Sequence, residues 1–192
     1  MIAQSDIAVI AKASHRVKAF LYDYLLIFAY LAAVSAVGSF LTLGPFAARW
    51  SEFLSSPVRM DLFAFVVSVL PVVTYFALAE SSQLSATWGK KRLGLRVLDV
   101  GGARLSKVQG FARAFLKFLP WQMAHTAMFH IPGFPLESNN PPDWTVALLA
   151  FAWVLVAVYL VGLTSAMGGR TAYDRLTGCS VVAYSVGERQ SQ

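Results

Sequence analysis

Residues 111–131 read FARAFLKFLPWQMAHTAMFHI, and the fold turns on whether this stretch crosses a bilayer. Its length suits a span, since a hydrocarbon core of ~30 Å needs about 20 mainly apolar residues. Arg113, Lys117, Gln122, His125 and His130 interrupt it, however, so composition alone also allows a helix lying flat on the surface. Its neighbours carry no such ambiguity. About 17–43, 61–80 and 144–167 are long apolar runs, the first stopped by Gly44-Pro45 and the last by Gly168-Gly169. Pro71 lies inside the second and is expected to kink it.

The loop charges decide the doubtful segment. Lys12, Arg16 and Lys18 precede the first span, and Lys90, Lys91, Arg92, Arg96, Arg104 and Lys107 follow the second. Arg170, Arg175 and Arg189 follow the last. The connection after Ile131 holds Glu137 and Asp143 and no lysine or arginine. Cytoplasmic loops carry the excess of basic residues, so the first three regions belong inside and the last outside. All four are satisfied only if 111–131 spans, with Arg113 and Lys117 reaching back to the cytoplasmic surface. The mixed first outer loop (Arg49, Glu52, Arg59) does not oppose this. The expected fold is an all-α membrane protein of four transmembrane helices, both termini inside, multi-pass in the cytoplasmic membrane.

Composition agrees. Hydrophobic residues make up 57% and charged residues 14% of 192, against about 45–50% and 25% in soluble domains. The net charge of +6 sits in clusters between apolar runs, which argues against a nucleic-acid partner. The first apolar stretch continues to Leu43 and carries Asp23, so it reads as a retained helix and not a cleaved signal. Cys179 stands alone, so no intramolecular disulfide is available.

The basic connection has its own pattern. Leu93, Leu95 and Val97 alternate with Gly94 and Arg96, and Gly101-Gly102 suits a two-residue turn. A hairpin over about 92–106 is expected, with Val100 facing Ala103 and Asp99 facing Arg104. A β-prone run at 179–186 would add the third strand that a lone hairpin needs. The whole reads as one domain over 1–186 without internal repeats, with 187–192 a disordered tail.

Several charged residues ask for a role. Arg16 and Asp23 are seven apart, which on a helix puts them on one face, ~10.5 Å apart. An ionisable group inside an apolar run is either a proton or ion site or a salt bridge that fixes packing. Asp174, flanked by Arg170 and Arg175, should lie at the same membrane face. Asp23 is expected to contact a basic side chain, Arg170 or Arg175 first, then Arg92 or Arg96. The run Gly89–Gly94 lacks the order of a phosphate loop, so Lys90, Lys91, Arg92 and Arg96 are read as meeting anionic lipid headgroups. His125 and His130 point to different sides of a helix, so no metal site is expected. No nucleophile–base arrangement occurs, so neither catalytic residues nor a cofactor are expected, and the chain does not read as an enzyme.

Taken together, these motifs resemble the RDD family of bacterial membrane proteins, named for an arginine and two aspartates. Arg16 and Asp23, in Ser14 through Asp23, match the arginine and aspartate of that family's first helix. Ala86 through Asp99 resembles its cytoplasmic segment, and Arg170 through Val182 its ending. Asp174 corresponds to the second aspartate, with Asp99 the alternative. The similarity covers about residues 14–185. It departs in the four spans argued here against about three, and in Cys179 where threonine is more common. The resemblance implies a bacterial inner-membrane location and transport, cation/proton exchange included. That reading makes Asp23 the coupling carboxylate and requires a homo-oligomer to make room for a pathway. The alternative is a non-transporting scaffold that docks a partner through its basic cytoplasmic face.

Overall fold

The computed structural model describes residues 8–134, 140–164 and 168–184. In chain order these form β1 (Ala8–Ile10), α1 (Ala13–Leu43), α2 (Ala47–Leu54), α3 (Pro57–Ala64), a π-helical turn (Phe65–Val69) and α4 (Leu70–Glu80). They continue through α5 (Trp88–Arg92), β2 (Leu95–Asp99), α6 (Lys107–Phe129), α7 (Asp143–Gly162), α8 (Ala172–Leu176) and β3 (Cys179–Tyr184). Three helices are long and apolar enough to cross a membrane: α1, α7 and the continuous Pro57–Glu80 helix that joins α3 to α4. The expected fourth, α6, falls outside that set because of its polar residues. The expected tail at 187–192 lies outside the described residues, as do the last residues of the predicted 144–167 span and 179–186 strand.

α1 buries only Arg16, Ala19, Asp23 and Ile27, spaced three or four apart as one narrow stripe. Phe20 and Leu31 pack partly against the bundle, and most of its other apolar side chains point outward, as a helix solvated by lipid requires. In the Pro57–Glu80 helix, Pro71 has no N–H to give to Val67 O. The Tyr30 hydroxyl from α1 fills that vacancy at 2.6 Å. Just before the proline, where a kink was expected, the helix takes a π turn in which Leu70 N–H reaches back five residues to Phe65 O.

α6 opens on a capping box between Ser106 and Gln109, four residues ahead of the expected start. It runs antiparallel to the Pro57–Glu80 helix. Gly110 lies against Ala77 O and Ser81 at one end, so close that a Cβ would stand 2.8 Å from that carbonyl. At the other end Gln122 and Thr126 donate to Asp61 at 2.9 Å. α7 returns beside α6, with Trp144 edge-on to His130 and the Tyr159 hydroxyl on Leu116 O.

The sheet caps one end of this bundle in the order β1-β3-β2, antiparallel throughout. The 92–106 hairpin is only partly realised. Its first strand forms, but the return has one bridge, Leu98 to Arg104, not Asp99 to Arg104. The Asp99 carboxylate instead accepts Ala103 N–H at 2.8 Å and closes the turn on itself, as aspartate at a turn favours. The third strand comes as β3, and β1 is one that the sequence reading missed. Leu95, Val97, Cys179 and Val181 fill the space beneath the sheet with Ala11, Ala19 and Leu105. A second core of Ile27, Val69, Val72, Val73, Phe76, Ala77 and Ala114 fills the bundle.

An internal repeat emerges that the sequence conceals. Thr87 caps α5 by accepting Lys90 N–H, and Thr171 caps α8 by accepting Asp174 N–H. Each short helix ends before a glycine at positive φ, Gly94 at 64° and Gly178 at 63°, and a strand follows at once. The two units lie 84 residues apart throughout. β2 and β3 pair with Val97 opposite Val181, residues that this offset equates. A two-fold axis through that pair therefore exchanges the strands.

Candidate functional site

Where the bundle meets the cap, five ionisable side chains are buried together. α4 ends in Glu80, α6 brings Arg113 from its second turn, α1 brings Arg16, and α5 and α8 bring Lys90 and Asp174. Arg113 joins the two halves. Its Nη1 meets the Glu80 carboxylate, while Nε and Nη2 hold Asp174 Oδ1 at 3.0 and 2.7 Å. Lys90 Nζ adds a second contact to Glu80 at 2.9 Å. Arg16 reaches Asp174 Oδ2 at 2.6 Å and also donates to Gly169 O. Asp174 further accepts Thr171 N–H at 3.1 Å in the capping box. Burial would raise the Asp174 carboxyl, but the Arg113 and Arg16 guanidiniums outweigh it and hold the group well below the usual carboxylate range.

Asp23 forms a separate site. It is fully buried, and its oxygens accept from Tyr75 Oη at 3.0 Å, Thr87 Oγ1 at 2.6 Å and Gly89 N–H at 2.8 Å. No basic side chain reaches it among the described residues, which corrects the expected ion pair with Arg170, Arg175, Arg92 or Arg96. The reason is close backbone approach. Gly89 lets α5 sit directly on α1, where a Cβ would stand 2.0 Å from Ala19 O. Neutral donors from the start of α5 then fill the carboxylate.

A cleft of about 380 Å³ opens onto the charged cluster. α1 and α7 form its sides and α6 its back, with Val17, Phe20, Phe118, Trp121 and Leu160 among its walls. The charged side chains lining it are Arg16, Lys90, Arg113 and Lys117; Glu80 and Asp174 stand behind them. Lys117 differs from the other three. Among the described residues its ammonium meets no carboxylate within 4.0 Å and lies 3.6 Å from the Phe76 ring centre and 4.8 Å from that of Phe20. A separate space of about 30 Å³ shares Phe20, Tyr24, Phe118 and Trp121 with the cleft and is otherwise lined by Ile27, Leu31, Ser68, Val69 and Val72.

The structure therefore unites Arg16 with Asp174, as their shared membrane face suggested, and adds Arg113 and Glu80, which sequence reasoning passed over. Arg113 does not reach out to the surface; it is 1% exposed. Lys90, read as a headgroup contact, is buried on Glu80, whereas Lys91, Arg92 and Arg96 are exposed. Arg92 lies over the Trp88 ring at 4.3 Å. Arg170 donates to Cys179 O at 2.9 Å and ties α8 to β3, and Arg175 is exposed. Asp99 stays in its turn, away from the cluster. A signal for the missed pair was present: Glu80 and Arg113 are opposite charges at the facing ends of consecutive apolar segments. A family model described as the RDD family matches residues 10–178. No curated protein and no solved structure matches the chain.

Proposed function

We propose, from the premise that the chain belongs to the RDD family, that it is a four-span inner-membrane protein that admits a negatively charged ligand into the cleft between α1 and α7. Packing supports the fourth span. α6 accompanies the Pro57–Glu80 helix from Ala77 to Asp61, a rise of about 24 Å, so a bilayer crossed by one is crossed by both. Asp61 accepts from the polar Gln122 and Thr126 inside the bundle, which weakens the composition argument against it. The basic connections support a cytoplasmic position for the cap and the charged end of the cleft.

The observation that carries the reading is the sign of the lining. Four cations face the cleft, and the two carboxylates that balance half of them stand behind. A pathway for cations needs carboxylates that an ion can reach, whereas Asp23, Glu80 and Asp174 are all fully buried and already hold two or more donors. Cation/proton exchange through Asp23 is therefore the weaker reading. Thermal unfolding in an uncharged detergent tests the proposal. A trace of dodecyl phosphate should raise the midpoint, and dodecyltrimethylammonium should not. Equal effects of the two amphiphiles would end the anion reading, and sodium- or potassium-driven proton flux in liposomes that Asp23→Asn abolishes would replace it.

A further inference from the structure

We infer that the occupant of the cleft is an anionic phospholipid from the cytoplasmic leaflet, with its phosphate at Lys117 and one acyl chain along Phe20, Phe118 and Trp121. This rests on the anion reading above and names the ligand class. Two independent features carry it. The first is the charge that remains unpaired. Arg16, Lys90 and Arg113 each hold a carboxylate, whereas among the described residues Lys117 meets aromatic faces and no carboxylate, and it still lines the cleft. A cation kept in place by ring faces has its other hydrogen-bonding directions open to a phosphate oxygen.

The second is shape. From Arg16 to Tyr24 the lining of α1 rises about 12 Å from the charged end into apolar wall. Val17, Phe20, Phe118, Trp121, Val156 and Leu160 line that stretch with apolar and aromatic surface. A free phosphate would leave that length of wall unfilled. A chain attached to a phosphate fills that wall as well as the charged end, and the cleft volume falls in the range of ligand pockets.

Trp121 in the wall supplies the readout. The full chain would be reconstituted in vesicles of neutral lipid doped with phosphatidylglycerol brominated along its acyl chains, or with equally brominated phosphatidylcholine. Quenching of the Trp121 component, isolated by comparison with Trp121→Phe, should favour phosphatidylglycerol by about fivefold, the size of one basic residue against an anionic surface. Lys117→Gln should abolish the preference and still fold, because Lys117 leaves no partner carboxylate behind. Equal quenching by the two lipids overturns the proposal, as does a preference that survives either Trp121→Phe or Lys117→Gln. Loss of the preference on adding inorganic phosphate would assign the site to a free anion and overturn the lipid. Stabilisation by dodecyl phosphate without any lipid preference would sink this inference while leaving the anion reading intact.

Discussion

The Tyr159 hydroxyl donates to Leu116 O at 2.7 Å, and Leu116 is the residue whose carbonyl Pro120 leaves without its helical donor. Tyr30 does the same for Val67 O, four residues before Pro71. In lipid no water can take the place of that donor, so each interior proline comes with a tyrosine from the neighbouring helix. Tyr159→Phe should cost about 1–3 kcal/mol, the range for a buried acceptor left unmet. Pro120→Ala restores the N–H, so Tyr159→Phe should be nearly silent in that background. Thermal unfolding of the four members of this cycle checks it; strictly additive costs would refute the coupling.

Arg113→Leu should lower stability by about 3–5 kcal/mol, because Glu80 and Asp174 would lose the cation between them. Arg113→Lys should recover only part, since an ammonium cannot hold Asp174 with a two-pronged grip and reach Glu80 as well. Denaturation of the purified protein by dodecyl sulfate would rank the three. Equal stability of the leucine variant and the parent would show that the cluster is not structural.

Gly89→Ala should push α5 off α1 and break the Gly89–Asp23 bond. Its cost should reach the upper end of, or exceed, the ~1–3 kcal/mol typical of overpacking. Gly38 is the control: a Cβ there meets nothing within 4 Å, so Gly38→Ala should be neutral or stabilise by up to about 1 kcal/mol. The two melting curves would have to coincide for the packing argument to be wrong.

Acid provides a fourth test. The Asp174 carboxyl is depressed in the folded protein, so its contribution is present above the unfolded value of about 3.9. It is lost only as pH falls through the lower folded value. The unfolding midpoint should therefore show no loss from this group between pH 7 and about 4 and should fall below that. Asp174→Asn should be less stable at pH 7 and flatter at the acid end. A parent profile that already declines through pH 6 on account of Asp174 would contradict the sign.

Hydropathy and loop charge made the three apolar helices legible, and spacing made β2 and β3 so. What stayed hidden depends on contacts across sequence. β1 is three residues long and gains its strand character only by pairing with β3. The repeat is carried by conformation: between Thr87–Gly94 and Thr171–Gly178 only the terminal threonine and glycine coincide. Arg16 and Asp174 were recognisable because one opens the first apolar helix and the other follows the last, which puts them at one membrane face. The role of Asp23 was not, because the donors that satisfy it are a backbone N–H and two hydroxyls, which charge pairing does not reveal.

The strand order has a bearing on biogenesis. β3 is the last made of the described elements, yet it lies between β1 and β2 and brings Ala8 opposite Tyr184. While the ribosome is still releasing the chain, the two outer strands have nothing between them, and Arg16 waits for an aspartate 158 positions downstream. The helices thus enter the bilayer before the cap can close, and closure joins contacts of very long sequence separation, the slow kind. A nascent chain halted before Cys179 would carry its helices in the membrane with the sheet unformed, which gives quality-control proteases a clear mark of an unfinished molecule.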